Sequence, residues 1–479
     1  MAEELQQDNI NAANVQYRAN QGGVSFTERD ENSMEVGLRA LMWSRVSHRI
    51  MERLNYDADE DETSVVVRDR EELYNFIYET LDVNDVFFGD FQKIGSESDD
   101  LPTLSCRCVI RGSAGYVPRD LTHSHFNALT VKNAIVDKCR DLCPDGLQLR
   151  PNVDVDDPDV PFLLSLKGIG DQEAEVILYR CLNGSGSLHK RGYRYNLPVH
   201  KAAMKETMAS ALLIISGWHK LVEAAKKDGK EAVLVDPMMG SGTFCIEGGL
   251  IAADIAPGLL RMNNDKNLPA VLRWNSSKGS HRLWTQICRE AMAKRRDGLK
   301  WLHDKQNCLI VGNEMVIEAH QLANEASKQA GLRGDNFHFR QGNCRDFTFN
   351  DEDFSLAPGR TIVVTNPPWG LRLTDDVQKS WEDFSYFLNM ECGGTEGIFI
   401  FHFNVCIRET LDFTYFLLSS VHVDSLGSQW EQKSYKNLAQ EKIKKLSFAN
   451  CRRKPSMASI LHFPHYTGKG SSTTCFTGS

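Results

Sequence analysis

The sequence lacks a long hydrophobic segment that is free of charge. The only candidate for a membrane span, residues 398–423, contains Arg408, Glu409 and Asp412. Because charges in the middle of a span are costly, this run argues against a membrane helix. The N-terminus lacks the segments of a secretory signal, and its acids argue against an Arg-rich transit peptide. We therefore expect a soluble protein of the cytoplasm, or of a chloroplast or mitochondrion if a transit segment precedes this sequence.

Clustered metal ligands are also lacking. The 13 cysteines are scattered, and the histidines do not flank them at zinc-finger spacing. Cys106 and Cys108 share one face of a predicted strand, and Cys139 and Cys143 lie one helical turn apart. We expect reduced, mostly buried thiols in a reducing compartment, and no metal site.

Positive charge is not in excess. The chain has 55 Lys and Arg against 64 Asp and Glu, for a formal net charge of −9. This balance argues against a nucleic-acid partner, because phosphate binding depends on Lys and Arg. The acids, however, concentrate in residues 57–62 and 154–159, whereas a basic cluster interleaved with an aromatic residue comprises Lys190, Arg191, Tyr193 and Arg194. Such a cluster is typical of a nucleic-acid surface, the alternative being a solvated charged face.

A glycine-rich turn follows an apolar strand in the middle of the chain. Residues 232–235 run into residues 236–243, in which Gly240 and Gly242 let the backbone approach a ligand closely. A helix is predicted over residues 244–255, so the turn directs backbone N–H groups and a positive helix end at the ligand. The Gly-Lys-Ser/Thr ending of a Walker loop is absent, and the third glycine of a dinucleotide turn is out of register. Neither a triphosphate nor a dinucleotide is therefore indicated.

Two further predicted strands end in polar residues. Residues 308–311 lead to Glu314, a carboxylate where α/β nucleotide-binding folds hold ribose hydroxyls. Residues 337–340 lead to Asn343, whose amide can meet an adenine edge.

A fourth strand, residues 361–364, ends in Asn366-Pro367-Pro368-Trp369. Two adjacent prolines force the chain out of the sheet in an extended turn, at the edge where α/β sheets bind ligands. Asn366 Oδ1 and the Pro367 carbonyl can accept both protons of an exocyclic amine, while Trp369 stacks on the ring that carries it. Taken alone, the tetrapeptide would rather indicate a Pro-rich loop with a packing Trp, and the rest of the chain reverses that preference.

Together the four strand ends resemble those of class I S-adenosylmethionine-dependent methyltransferases that act on amino nitrogens. Residues 236–260 are similar to the cofactor motif of the THUMP-domain RNA guanine-N2 methyltransferases, and residues 188–194 to that family's junction between domains. Residues 120–126 and 131–137 look like the THUMP core. The resemblance covers about residues 24–394 and is greatest to the bacterial-type enzymes that methylate guanine in large-subunit ribosomal RNA.

The resemblance implies an α/β protein, with an N-terminal THUMP-containing α+β domain followed by a Rossmann-like class I methyltransferase domain. It implies that S-adenosyl-L-methionine is the cofactor, bound by Asp236, Gly240, Ser241, Gly242, Thr243, Glu314 and Asn343. It implies methyl transfer to N2 of a guanine in RNA, ribosomal rather than transfer RNA, with the catalytic residues Asn366, Pro367, Pro368 and Trp369. RNA would be bound by Lys190, Arg191, Tyr193 and Arg194. We expect a monomer.

The predicted organisation is an N-terminal segment (1–56), a THUMP-like domain (57–183), a hinge (184–196), a methyltransferase domain (197–397) and a divergent C-terminal segment (398–479). Glu314 and Asn343 each stand where family members usually carry Asp, and Trp369 replaces the commoner Tyr. Because residues 398–479 depart from the family, the completeness of the catalytic sheet is open.

Two other functions also remain open. Asn-Pro-Pro-aromatic does not identify the base, so the protein could methylate adenine or cytosine amines in DNA. The divergent C-terminal segment and Asn343 are also compatible with an RNA-binding protein without catalysis.

Overall fold

The structure is a computed structural model of the 479-residue chain. It describes residues 1–17, 23–28, 34–54, 65–87, 101–111, 116–143, 150–170, 172–198, 203–262, 268–274, 280–304, 307–348, 360–368, 377–391, 397–405, 413–421 and 472–476. The chain divides into two compact units. The first comprises Met1–Lys190, Pro257–Glu290 and His465–Ser479, and the second comprises Arg191–Ala256 and Ala291–Pro464.

The described residues contain both helices and strands throughout their length. Those up to residue 181 are α1 (Ala2–Gln6), β1 (Ala13–Tyr17), β2 (Gly23–Thr27), α2 (Glu35–Trp43), β3 (Arg49–Arg53), β4 (Val65–Val67), α3 (Arg70–Thr80), α4 (Val83–Phe87), β5 (Leu104–Arg111), α5 (Ser124–Leu142), β6 (Val160–Gly170) and β7 (Glu173–Cys181). Those that follow are α6 (Glu206–Ile215), α7 (Trp218–Asp228), β8 (Ala232–Asp236), α8 (Thr243–Ala252), α9 (Pro257–Arg261), α10 (Ser280–Leu302), β9 (Cys308–Glu314), α11 (Ile317–Gln329), β10 (Phe337–Gln341), β11 (Thr361–Val363), α12 (Val377–Glu391), β12 (Gly397–Val405), β13 (Phe413–Val421) and β14 (Ser472–Phe476).

The first unit is built on a mainly antiparallel sheet in the order β1-β2-β14-β3-β7-β6-β5, with β4 also paired to β7. The first seven residues of β6 are all buried, which fits an interior strand between β5 and β7. Helices α3 and α5 are joined by Tyr74, whose hydroxyl donates to Asp137 at 3.0 Å. This α+β arrangement is where the sequence predicts the THUMP-like domain, and that identification stays a prediction.

The second unit is built on a parallel sheet in the order β10-β9-β8-β11. The four runs that the sequence predicts as strands form these four strands, so the carboxyl ends of all four lie at one edge. Helix α8 is buried on every side and lies close to β8, because a Cβ on Gly248 would be 2.3 Å from the Leu234 side chain. Trp218 Nε1 donates to the Gly248 carbonyl at 2.9 Å and fixes this packing. The predicted α/β fold with a Rossmann-like parallel sheet is confirmed.

Beyond β11 the described residues add no further strand to this parallel sheet. Strands β12 and β13 pair antiparallel with each other from Gly397↔Val421 to Val405↔Phe413 and form a separate two-stranded sheet. Strand β14 pairs with β2 and β3 in the first unit. Most of the predicted divergent segment, residues 398–479, lies outside the described residues. Among the helices of the described residues, none is long and apolar enough to cross a membrane.

Two places in the division into units bear on the predicted domain boundaries. The first unit gives way to the second between Lys190 and Arg191, inside the predicted hinge 184–196. Residues 257–290, which the sequence places in the methyltransferase domain, cluster with the first unit instead. The physical reason is local contact: Arg261 donates to the Leu188 carbonyl at 3.1 Å, and Trp274 Nε1 donates to the Asp159 carbonyl at 2.9 Å.

Candidate cofactor and amine site

The glycine turn between β8 and α8 has the tight backbone that its sequence predicts. Gly240 and Gly242 have φ values of 56° and 75°, in the left-handed region that favours glycine. A Cβ on Gly242 would lie 2.9 Å from the Ala323 Cβ on α11, whereas a Cβ on Gly240 would meet no atom within 4 Å. The backbone at Gly240 therefore borders open space, into which a ligand can come close.

Glu314, at the end of β9, is bound to the glycine turn. Its Oε2 accepts from the Gly240 N–H at 2.8 Å, and its Oε1 accepts from the Val316 N–H at 2.8 Å. A carboxylate has about four lone-pair sites, so two remain for ribose hydroxyls. The predicted cofactor residues Gly240 and Glu314 are thus brought together.

Asn313 was missed by the sequence analysis, although it ties three strand ends to one another. Its buried amide donates to the Pro237 carbonyl at 3.2 Å and to the Gly342 carbonyl at 3.0 Å. The main-chain carbonyl of Asn313 accepts from the Met239 N–H at 2.9 Å. Asn313 therefore holds the β8, β9 and β10 ends at one edge.

Asn343 lies at the end of β10 and is held at both ends of its amide. Its Oδ1 accepts from the Arg345 N–H at 2.9 Å, and its Nδ2 donates to Asp383 Oδ2 at 2.7 Å. Asp383 belongs to α12, and no pattern in the sequence indicates a role for it at this site. One lone pair on Oδ1 and one proton on Nδ2 are left over, which an adenine edge could use.

Asp236 lies at the end of β8 and is 1 % exposed. Burial raises the pKa of its carboxyl to about 7, and the nearby charge of Glu314 acts in the same direction. A hydrogen bond from the Met238 N–H at 3.2 Å opposes this rise in pKa. Asp236 is thus buried at the start of the glycine turn.

The Asn-Pro-Pro turn lies just after the end of β11. Val364 N–H donates to the Val235 carbonyl at 2.9 Å, which extends the pairing of β11 with β8 up to the turn. Asn366 and Pro368 are partly exposed and Pro367 is buried. The turn thus leaves the sheet beside the glycine turn. Trp369, the predicted stacking residue, lies outside the described residues.

The predicted RNA-binding cluster is corrected by the structure. Arg191 and Tyr193 are each 1 % exposed, and both face Glu247 of α8. Arg191 Nε lies 3.6 Å from Glu247 Oε1, and the Tyr193 hydroxyl donates to the same oxygen at 3.1 Å. A surface role is therefore wrong for Arg191 and Tyr193, because a buried carboxylate needs cationic and hydroxyl partners. Lys190 is exposed, and its predicted contact with RNA stays a prediction.

Arg194 also points inward, to the glycine turn. Its guanidinium pairs with Glu206 at 3.0 Å and donates to Thr243 Oγ1 at 2.7 Å and to Ser241 Oγ at 3.2 Å. Burial raises the pKa of Glu206, and Arg194 opposes that rise. Arg194 therefore supports the predicted cofactor residues Ser241 and Thr243 from within the unit and is not part of a basic surface.

The residue types at this edge fit S-adenosylmethionine. The space at Gly240 admits a ligand to the backbone, Glu314 offers acceptors for ribose, and Asn343 offers a donor and an acceptor for adenine. Among the described residues, no group of three or more His, Cys, Asp or Glu could hold a metal ion. The nine cysteines described are free thiols, and burial raises the pKa of the Cys106 thiol to about 12.

The chain is similar in sequence to known proteins. Residues 191–410 match the family model described as RMKL-like, methyltransferase domain. The ribosomal RNA large subunit methyltransferase K/L of Pseudomonas savastanoi pv. phaseolicola is 33% identical over 352 residues, which are 73% of this chain and 38% of the relative. The chain thus spans about two fifths of the length of that curated relative.

Two solved structures have a similar fold. One is a predicted N6-adenine-specific DNA methylase from Listeria monocytogenes, with a TM-score of 0.55, 23% identity, and coverage of 77% of this chain and 78% of that one. The other is a putative methyltransferase, SMU.472, complexed with SAH, with a TM-score of 0.53, 23% identity, and coverage of 77% and 79%. At this identity they show a class I methyltransferase fold and no more. Residues 191–410 thus match an RMKL-like methyltransferase domain, as the resemblance of the glycine and Asn-Pro-Pro turns had predicted.

Proposed function

We propose that this protein is an S-adenosylmethionine-dependent RNA methyltransferase that modifies N2 of a guanine, in ribosomal rather than transfer RNA. One observation carries the proposal: the Asn-Pro-Pro turn leaves the sheet beside the glycine turn, at the edge that also holds Glu314 and Asn343. An amine-binding turn and a nucleoside-binding turn thus adjoin. The family of the relatives supports RNA as the substrate.

The chemistry follows from the Asn366 amide and the Pro367 carbonyl. A base amine is a poor nucleophile because its lone pair is delocalised into the ring. Asn366 Oδ1 and the Pro367 carbonyl accept hydrogen bonds from the two N–H groups of the amine. These hydrogen bonds draw electron density to the amine nitrogen and orient its lone pair. When bound, S-adenosylmethionine supplies an electrophilic methyl group. Correct placement of the two reactants contributes up to ~7–11 kcal/mol of the acceleration.

Access to the amine has its own cost. A guanine in a helix must leave its stack, which costs on the order of a few kcal/mol, and stacking on Trp369 would offset part of that cost. In this proposal the THUMP-like region 57–183 and Lys190 contact RNA, and the protein acts as a monomer. The bacterial relatives favour the cytoplasm. No observation supports an organelle.

The proposal is tested by combining cofactor binding with methyl transfer. Asn366→Ala should bind S-adenosylhomocysteine in calorimetry as the wild type does, but should lose transfer to a large-subunit ribosomal RNA transcript. Gln341→Ala removes an exposed amide from a neighbouring strand end and should keep transfer. Normal transfer by Asn366→Ala would contradict the assignment of the amine site.

The acceptor is tested with matched nucleic acids. Transfer should be lost when inosine, which lacks the 2-amino group, replaces guanosine in the transcript. It should also be weak on DNA of the same sequence. Equal transfer to DNA would favour the DNA alternative, and S-adenosylhomocysteine binding without transfer to any acceptor would favour the non-catalytic one.

A further inference from the structure

The Asn343 amide is held in one defined orientation. A backbone N–H can only donate, so the Arg345 N–H at 2.9 Å must face the amide oxygen. A carboxylate can only accept, so Asp383 Oδ2 at 2.7 Å must face the amide nitrogen. Turning the amide over would set acceptor against acceptor and donor against donor. The two contacts therefore determine where the remaining acceptor site, on Oδ1, and the remaining donor proton, on Nδ2, lie.

Asp383 is itself firmly placed. It is 6 % exposed on α12, and its Oδ1 lies 3.6 Å from Arg345 Nη1. The Arg345 guanidinium in turn lies over the Tyr386 ring, 4.1 Å from its centroid. Asp383 thus reaches Asn343 from a buried, paired position, and it can act on a ligand only through Asn343.

An asparagine amide can bind the Watson–Crick edge of adenine through an acceptor for the 6-amino group and a donor for N1. We propose that Asp383 is a positioning residue of the cofactor site, which fixes the Asn343 amide so that it presents this acceptor and donor to the adenine of S-adenosylmethionine. The proposal rests on the proposed function, because it assigns an orientation within the same cofactor site. Hypoxanthine, with a carbonyl at position 6 and an N–H at position 1, would need the amide turned over.

A consequence concerns the aspartate that other family members carry at this position. In this chain Asn343→Asp would place two carboxylates about as close as the present 2.7 Å contact. Like charges at that distance oppose each other's ionisation, so the pKa of one of the two carboxyls would be raised. The charged neighbours are Arg345, which pairs with Asp383, and Asp346 in the same turn, which adds negative charge. Burial raises the pKa of the Cys344 thiol to about 12, so that group stays neutral.

The first experiment measures the affinity for S-adenosylhomocysteine by calorimetry. Asn343→Asp should weaken binding at least ~10-fold at about pH 8 and should recover on acidification, as the pair takes up its proton. The exchange Asn343→Asp with Asp383→Asn restores an amide facing a carboxylate. It should therefore lose the added pH dependence, but it should recover only part of the affinity, because the carboxylate of residue 343 has no donor for the ring nitrogen.

The second experiment measures discrimination between S-adenosylhomocysteine and its inosine analogue. Asp383→Ala frees the amide nitrogen of Asn343 and should lower the wild-type preference for the adenine ligand several-fold. A purely structural loss would weaken both ligands equally, which would overturn the proposal. It would also be overturned if Asn343→Asp bound like the wild type at about pH 8, or if the exchange kept the added pH dependence of Asn343→Asp. No binding by the wild type would instead contradict the proposed function, and the inference with it.

Discussion

Replacing Arg191 by methionine should destabilise the second unit without any RNA present. Arg191 and Glu247 are both fully buried as side chains, with Nε and Oε1 3.6 Å apart. Methionine keeps much of the volume but leaves the Glu247 carboxylate without its cation. Removing one partner of a buried ion pair costs ~3–5 kcal/mol, since the remaining charge is uncompensated.

The size of the effect sets the assay. For a unit of this length, 1 kcal/mol lowers the melting temperature by roughly 2–4 °C, so a fall of about 6–20 °C is expected. Circular dichroism during heating and urea unfolding would both report it. Lys190→Met is the matched control: it removes the adjacent, exposed cation and should change the free energy of unfolding by less than about 0.5 kcal/mol.

A second variant separates charge from packing. Arg191→Met combined with Glu247→Gln leaves no buried charge, while the glutamine still bonds the Tyr193 and Ser210 hydroxyls that now bond Glu247 at 3.1 and 2.5 Å. Most of the lost stability should return. If Arg191→Met melted like the wild type and instead lowered RNA affinity, the buried ion pair would be refuted and the surface role predicted from the sequence would be reinstated.

Three other predictions concern single positions. Gly242→Ala forces an alanine to φ 75° and sets its Cβ 2.9 Å from Ala323, so urea unfolding should show a loss of roughly 2–4 kcal/mol and calorimetry weaker S-adenosylhomocysteine binding. Gly342→Ala, whose Cβ would meet nothing within 4 Å, should change neither. The Asp236 pKa is raised from 3.8 to about 7, so its ionisation in the unfolded chain lowers the stability of the wild type as pH rises through that interval. Asp236→Asn should lose this fall, which amounts to at most ~1.4 kcal/mol per pH unit, and parallel stability curves would contradict the burial of its charge. Lys190→Ala should weaken RNA binding and reduce its salt slope by about 0.7, whereas an unchanged slope in a titration at several salt concentrations would remove Lys190 from the RNA surface.

The parallel sheet and its glycine turn could be predicted because their signals are local. Three of the four strands are short runs of β-branched and apolar residues followed by a polar residue, and Gly240 and Gly242 occupy positions that need positive φ. Asp236 and Glu314 then follow from where the strands end. These features depend on residues within a few positions of one another.

Contacts between distant segments could not be predicted in the same way. Asp383 meets Asn343 across 40 positions, and only the packing of α12 brings it there. The basic cluster was misjudged because spacing does not reveal burial. A signal was present nonetheless: Glu247 is the single charge in the otherwise apolar helix α8, and it required a cation such as Arg191 in the interior.

The interleaving of the two units bears on how the protein folds during synthesis. The first unit includes residues 257–290, whose Arg261 and Trp274 bond carbonyls of Leu188 and Asp159. At about 5–20 residues per second, a ribosome needs roughly 5–20 s to pass from Lys190 to Glu290. For that interval the nascent first unit waits with part of its apolar surface uncovered. A fragment that ends after Lys190 would lack residues 257–290, and one that ends after Glu290 would still lack β14, which pairs with β2 and β3. The sheet of the first unit is therefore complete only after residues 472–476 have been made.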